Sequence, residues 1–397
     1  MRIVLATHSL DGSTGVQSYL LTIADEMQRT GHEVWLYSTE LGSTAEYAET
    51  LGLQVIREQG QIPDEIDFAV VHSSVASHEF AVARPDVPQV AIAHGSYFDL
   101  YTPPQIDGAV ACVVTLWGQA ARRMDGLATD IPVVALSQPV DRTRFRDRAP
   151  IAEKARRALI LSNYLDGERR KRIENACELA GLEWEHVGAT GSGQSNRAED
   201  AINRADIVIG KGRAAVEGMS CGRAVYIYDM WGSDGWLTPE TYELFASTGF
   251  GGVATTRDPG AAEIADDFAD YDQSLGAWGS KTAGIRHRLA DHTAKLVELG
   301  VEAAGQSSRR NGTRDEATEL ARLARQSWRH EGQAHVHSEH LKQQSQRIEA
   351  LERELDASRR EAQGLVKELD AIRGSKSWKV TAPLRQLRSK DDRVGGA

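Results

Sequence analysis

The sequence predicts an α/β protein made of two consecutive parallel-sheet domains followed by a helical, coiled-coil-forming tail. Three observations predict it. Short apolar runs alternate with helically spaced apolar residues from Met1 to Gly300. The alternation breaks at a polar, proline-containing stretch, Ser137–Arg148, and then restarts. A heptad pattern begins at Ile348.

The elements follow in order. Ile3–Ala6 reads as a buried strand and Gly12–Gly15 as a loop. Val16, Leu20, Ile23, Ala24 and Met27 recur at helical spacing up to Arg29, and Gly31 stops that helix. His32–Tyr37, Gln54–Arg57, Phe68–His72, Val90–His94, Ala109–Leu116 and Val133–Leu136 read as further strands. Continuous apolar strands separated by helices imply a parallel sheet covered on both faces. Beyond the break, strands are expected at Ala158–Ser162, Trp184–Val187, Ile207–Gly210 and Ala224–Tyr228. The helices between and before them are Gly167–Ala180, Ala198–Ala205 and Arg213–Ser220, and a helix or helix pair over Trp278–Gly300 closes the unit. Residues 1–138 thus form an N-terminal domain and 139–300 a C-terminal one.

Residues 301–335 read as a linker with helical character, 336–374 as the coiled coil and 375–397 as a basic tail. Ile348, Leu351, Leu355, Ser358, Ala362, Leu365, Leu369 and Ile372 step by three and four, with charges between them. Self-association into a homo-oligomer is the expected consequence; a solitary amphipathic helix is the alternative.

Bulk properties narrow the function. The 46 basic and 57 acidic residues give a net charge of -11, which excludes a general nucleic-acid binder. Cys112, Cys177 and Cys221 are few, odd in number and far apart, so reduced thiols and a cytoplasmic location are expected. The N-terminal apolar segment is too short for a signal peptide, and no apolar run reaches the ~18 residues of a membrane helix. His330, His335, His337 and His340 lie close in sequence but lack carboxylate or cysteine partners, so no metal site is expected.

Four motifs carry chemistry. Asp11-Gly12-Ser13-Thr14-Gly15 stands between strand one and helix one, where Gly12, Ser13 and Gly15 let backbone approach a ligand; a tight packing turn is the alternative. His94, directly after an apolar strand, points a hydrogen-bonding or acid–base group into the crevice, or else caps the next loop. Lys211, Gly212 and Arg213 open the helix Arg213–Ser220, where N–H groups, dipole and two cations suit a diphosphate; a solvated loop is the alternative. Glu217, one turn on, suits two sugar hydroxyls, or is an exposed helix charge. Tyr228–Thr238 reads as an acidic, aromatic, glycine-containing loop, with Asp234 and Trp236 as candidates to meet sugar or base. The chain carries neither a G-x-S-x-G elbow nor a G-x-x-x-x-G-K-[ST] phosphate loop.

These residues resemble retaining glycosyltransferases of the GT-B fold, close to family 4 (group 1), over Met1–Gly300. Arg29-Thr30-Gly31-His32-Glu33-Val34 resembles that family's first helix end. Gln138-Pro139-Val140-Asp141-Arg142-Thr143-Arg144-Phe145 is similar to its interdomain "NGVDxxxF" segment, and Glu217–Val225 to its "EAMACGxPV" segment. The resemblance implies two Rossmann-like domains, with an acceptor bound by the N-terminal domain and a nucleotide-sugar donor by the C-terminal one. It implies that Glu217 binds the donor ribose, that His94 faces the transferred sugar as the catalytic candidate, and that neither metal nor other cofactor is needed. It departs from the family at Ile209, eight residues before Glu217, where the family has a glutamate. Arg169-Arg170-Lys171 stands where the family has a Gly-Arg … Lys-Gly phosphate motif, which makes Arg169 a further diphosphate candidate. In the tail, Ser375–Arg385 is similar to a "SxSWRxTxPLR" segment found beside glycosyltransferases of surface-polysaccharide pathways; its basic and aromatic residues suit peripheral contact with an anionic membrane face or a partner enzyme.

The leading expectation is therefore sugar transfer from a nucleotide diphosphate sugar to a glycan or lipid-linked acceptor. One alternative is a catalytically degenerate module that binds sugar nucleotide or glycan and scaffolds partners through its coiled coil. A second is a sugar-nucleotide epimerase, because the scaffold alone does not fix the chemistry.

Overall fold

The computed structural model describes residues 1–12, 14–94, 109–116, 131–193, 197–305 and 314–382. They form two units, Met1–Gln326 and Ser327–Ala397.

The first unit opens with β1 (Arg2–Ala6), α1 (Gly15–Arg29), β2 (Glu33–Tyr37), α2 (Ser43–Thr50), β3 (Gln54–Ile56), β4 (Phe68–Val71), α3 (Ser74–Ala83), β5 (Gln89–Ala93), β6 (Val110–Thr115) and β7 (Val133–Ala135). The seven strands are parallel in the order β3-β2-β1-β4-β5-β6-β7. Both faces are buried, as the continuous apolar runs require. Ile3 and Leu5 join one core with Val70, Val90 and α1, while Val4 and Ala6 join another with Val71, Phe80 and Ala91. Thr14 caps α1 by accepting from the Val16 N–H. The chain leaves α1 through Gly31, whose φ of 92° suits glycine.

A second sheet follows: β8 (Arg157–Leu161), α4 (Gly167–Leu179), β9 (Glu183–Val187), α5 (Ala198–Arg204), β10 (Ile207–Gly210), α6 (Arg213–Ser220), β11 (Ala224–Asp229) and β12 (Gly232–Trp236). Its order is β12-β11-β10-β8-β9, parallel except for the antiparallel edge strand β12. The segment expected as a loop after Tyr228 therefore contains a strand. Two glycines hide it: a Cβ on Gly232 would sit 2.1 Å from the Gly252 carbonyl oxygen, so backbone packs where a strand side chain would stand.

The remaining helices are α7 (Tyr242–Ser247), α8 (Ala261–Ala269), α9 (Ser274–Arg286), α10 (Leu289–Gly305), α11 (Arg314–Gly374) and α12 (Lys376–Val380). The region Trp278–Gly300 is thus a helix pair, and its second member returns to the first sheet. Leu296 and Leu299 of α10 belong to the core of β1 and β4, and a Cβ on Gly300 would lie 2.4 Å from the Phe68 ring. His287 ties this return to the interdomain segment. His287 Nδ1 lies 2.7 Å from the Gln138 carbonyl oxygen, and Val140 N–H donates to the His287 carbonyl at 3.0 Å. The first turns of α11 are also fixed to this unit. Buried Arg325 grips Glu79 with two bonds, Nε to Oε1 at 2.8 Å and Nη2 to Oε2 at 2.7 Å, and donates to the His8 carbonyl at 2.7 Å.

In the second unit α11 continues unbroken to Gly374, and residues 351–374 are exposed throughout. Cys112, Cys177 and Cys221 are buried free thiols. Among the described residues no helix is long and apolar enough to cross a membrane, and no group of three or more His, Cys, Asp or Glu side chains could hold a metal ion.

Candidate functional site

Open parallel sheets bind ligands beyond the carboxyl ends of their strands, where the strand order reverses. In the first sheet that point lies between β1 and β4, and in the second between β8 and β10. His94 and Lys211 follow strands at or next to these two places.

In the first domain, His72 follows β4 and His94 follows β5. Their rings stack with centroids 5.1 Å apart, and His72 Nδ1 lies 2.8 Å from His94 Nε2. Tyr19 of α1 meets both edge-on, at 5.6 and 5.0 Å, and its hydroxyl lies 2.7 Å from His292 Nε2 of α10. His292 in turn reaches the Ser137 carbonyl at 3.0 Å. The catalytic candidate His94 therefore stands in a packed aromatic cluster that α1, α10 and the interdomain segment hold in place. Burial, reinforced by the charges of His8 and Arg213, lowers its pKa to about 3, so it is a neutral imidazole at physiological pH. A neutral imidazole can donate from one ring nitrogen and accept at the other, which suits a sugar hydroxyl.

In the second domain, β10 passes into α6 through Lys211 and Gly212 alone, and Gly212 has φ 56°. Ile209 is no crevice residue: it lies within β10 and is fully buried beside Ile160 and Tyr228. Lys211 lies in the open part of the switch point. Its ammonium is 3.6 Å from the buried Asp229 carboxylate, 5.2 Å from the Tyr164 ring centroid and 5.7 Å from that of Trp231. Ser162 holds Asp229 from the other side at 2.8 Å. Burial lowers the Lys211 pKa, and Asp229 opposes that shift.

Arg213 takes a different position from the solvated loop side chain that its setting suggests. Its Nε donates to Glu217 Oε1 at 2.6 Å, one helical turn on, and its Nη2 donates to Thr22 of α1 at 3.1 Å. It thus spans the crevice from one domain to the other. Glu217 is buried rather than an exposed helix charge; burial raises its pKa, while Arg213 and Arg144 pull it down. The bond from Arg213 goes to its Oε1.

The other candidates lie as follows. Arg169 pairs with Asp258 at 3.0 Å. Asp234 accepts from the Thr255 N–H at 2.8 Å, and Trp236 packs on Tyr226 and Phe268 while its indole N–H donates to the Asp267 carbonyl at 2.7 Å. Both belong to strand β12, and Asp234 Oδ2 is buried without a hydrogen-bond partner among the described residues, whereas Trp231, in the turn before the strand, is the aromatic beside Lys211. Gly12 has φ 69° and its N–H donates to Ser43 Oγ at 3.1 Å, and a Cβ on Gly15 would meet open space. Ser13 lies outside the described residues. Asp229 and Trp231 fall within the Tyr228–Thr238 segment read as a ligand loop, whose candidates are Asp234 and Trp236; Tyr19, His72 and Tyr164 lie outside the motifs, and the place of Tyr164 after a strand end is the signal that marks it.

The buried imidazoles make a pH prediction. His8 and His94 titrate near 3, and His287 and His292 near 4, against 6.5 when exposed. Burial is the first cause in each. Below the exposed value the unfolded chain binds protons that the folded chain refuses, so stability falls as pH drops from about 6.5 towards about 4. Each fully shifted histidine contributes about 1.4 kcal/mol per pH unit in that window. Urea unfolding at neutral pH and at about pH 5 checks this: the midpoint must be lower at the acid pH, with little change between neutral and mildly alkaline pH.

No protein-family model matches the chain, and neither does any curated protein sequence. Solved structures do match. The Anabaena protein Alr3699/HepE in complex with UDP superposes with a TM-score of 0.57 at 14% identity, covering 75% of this chain and 99% of that one. The same protein in complex with UDP-glucose gives 0.55 at 12%, with the same coverage. A glycosyltransferase from Rickettsia africae gives 0.55 at 14%, covering 77% of this chain and 99% of that one. At such identities the likeness shows the fold: two Rossmann-like domains in the GT-B arrangement.

Proposed function

We propose that this chain is a glycosyltransferase that moves a sugar from a nucleoside diphosphate donor, held by the second domain, to an acceptor held by the first. The observation that carries this reading is Lys211. It is a partly buried cation at the second sheet's switch point, flanked by two exposed aromatic rings, and it adjoins the N-terminus of α6, one turn before the buried Glu217. Lys211 and the α6 N–H groups take the diphosphate charge, which does the work a metal ion does elsewhere. Glu217 accepts from the ribose hydroxyls, while Arg213 offsets part of the rise that burial gives its pKa and bridges to α1. His94 hydrogen-bonds the sugar being transferred, held by His72 and Tyr19. The solved structures of similar fold include one in complex with UDP-glucose, which supports a nucleotide-sugar donor. Transfer with retention, a glycan or lipid-linked acceptor, a surface-polysaccharide pathway and a cytoplasmic site at the inner membrane face rest on the family resemblance and on the basic tail.

A second reading, a degenerate donor-binding module, is favoured by one observation: Ile209, at the position of the family's first glutamate, is a core residue. Ligand-dependent stabilisation tests the donor site that both readings share. Nucleoside diphosphates and their sugars, offered with a chelator, should raise the melting temperature for one base. Ligand at about one hundred times Kd adds about 2.7 kcal/mol. Glu217→Gln should lose most of that gain, and no stabilisation by any nucleotide would refute the donor site.

A further inference from the structure

The long helix α11 carries a surface that nothing described in the chain covers. Leu341, Ile348, Leu351, Leu355, Leu365, Leu369 and Ile372 are 45–64% exposed. With Gln344, Ser358 and Ala362 they fall on the a and d positions of one unbroken heptad register, from Leu341 at a to Ile372 at d. An apolar stripe confined to a and d is the seam of a coiled coil of few strands rather than a face that packs into a globular core.

The flanking positions specify the partner. In this register Arg347, Glu354, Glu361 and Glu368 occupy g, and Glu352, Arg359, Val366 and Arg373 occupy e. In a parallel pair of helices in register, each g residue meets the e residue five positions further along the other chain. The pairs are then Arg347 with Glu352, Glu354 with Arg359, Glu361 with Val366 and Glu368 with Arg373. Three of these four join opposite charges and none joins like charges. An antiparallel pair centred on the same segment sets g against g and brings Glu354 beside Glu361, a like-charge contact. These charged side chains are exposed; the ion pair that Arg359 makes with Asp356 within its own helix is long, at 3.9 Å.

We infer that α11 pairs with the α11 of a second copy of this chain as a parallel, in-register, two-stranded coiled coil, whose orientation and register are set by the Glu354–Arg359 and Glu368–Arg373 contacts between chains. A second copy is the occupant because this one sequence supplies both members of every complementary pair.

The test uses the full-length chain and two charge-reversed versions. One carries Glu354→Arg and Glu368→Arg, the other Arg359→Glu and Arg373→Glu. Each reversed chain, alone, sets like charges against each other in every altered pair, while the mixture restores attraction in all of them. Sedimentation should show the native chain as a dimer, each reversed chain as a monomer, and the mixture as a one-to-one dimer. Gln344→Cys, at a d position near one end of the seam in the native background, should cross-link chain to chain under mild oxidation, because Gln344 faces Gln344 only in the parallel register, whereas the antiparallel pair sets it against the far end of the seam; the three native cysteines are buried. All substitutions fall on exposed helix positions, and unchanged circular dichroism confirms that the chains fold. A monomeric native chain, an assembly larger than two, reversed chains that still self-associate, or a dimer that Gln344→Cys does not cross-link would each overturn the inference.

Discussion

Lys211→Met should weaken nucleoside diphosphate binding on the order of 10- to 150-fold, the equivalent of the ~1.5–3 kcal/mol that a charge-assisted hydrogen bond contributes. Methionine keeps the aliphatic stem between the Tyr164 and Trp231 rings, so the loss reads the charge and not the packing. Lys211→Arg should retain much of the affinity, since the charge survives in a partly buried place. Asp229, 1% exposed, loses its cation in the methionine variant but keeps the Ser162 hydroxyl and the Met230 N–H, so the fold should hold. Calorimetric titration with the nucleotide that stabilises the native protein measures the effect directly. Equal affinity in native and methionine proteins would remove Lys211 from the diphosphate site.

Arg223→Ala should be the most destabilising single change, at about 3–5 kcal/mol, the range for breaking a buried charged network. The side chain is 2% exposed, and its guanidinium is shared among four acceptors. It donates to the Cys221 carbonyl at 2.8 Å, the Ala205 carbonyl at 3.1 Å, Asp147 at 2.8 Å and the Ala149 carbonyl. It thereby fastens the turn after α6 to the segment that enters the second domain. Alanine leaves those carbonyls without their donor and opens a void. Lysine cannot copy the fork, so Arg223→Lys should also lose stability. Chemical unfolding of both variants checks this; a midpoint within ~0.5 kcal/mol of the native protein would contradict the role assigned to this network.

The residues show what could be read in advance and what could not. The parallel strands were legible because both of their faces are buried, so Val4, Leu5, Val70 and Val71 form unbroken apolar runs. Strand β12 was not, since glycines occupy two of its five positions and its neighbours are backbone. The return of α10 to the first sheet was equally hidden. Helical periodicity marks a buried face but not the sheet that covers it, and Tyr19 and His292 meet across 273 positions of sequence. At the site, the motif positions of His94, Lys211 and Glu217 could be read, but their partners could not. Arg213 and Glu217 stand four residues apart on α6, a spacing that permits an ion pair as readily as two separate ligand contacts. Burial decides for the pair, and burial is a property of the assembled domains. Asp234 and Trp236 look like loop side chains only while β12 is taken for a loop.

Donor binding alone would suit a degenerate module equally well, so transfer itself separates the two. The decisive measurement is turnover: nucleotide sugars carrying the base that stabilises the protein, mixed with a pool of glycan and lipid-linked acceptors and a chelator, followed by NMR at the anomeric proton. A transferase should lose the donor signal, release nucleoside diphosphate and give a new glycosidic signal, all abolished by Lys211→Met and His94→Ala. A native protein that binds the donor tightly and leaves its anomeric signal unchanged would contradict transfer, and an altered sugar still attached to its nucleotide would point to epimerisation instead.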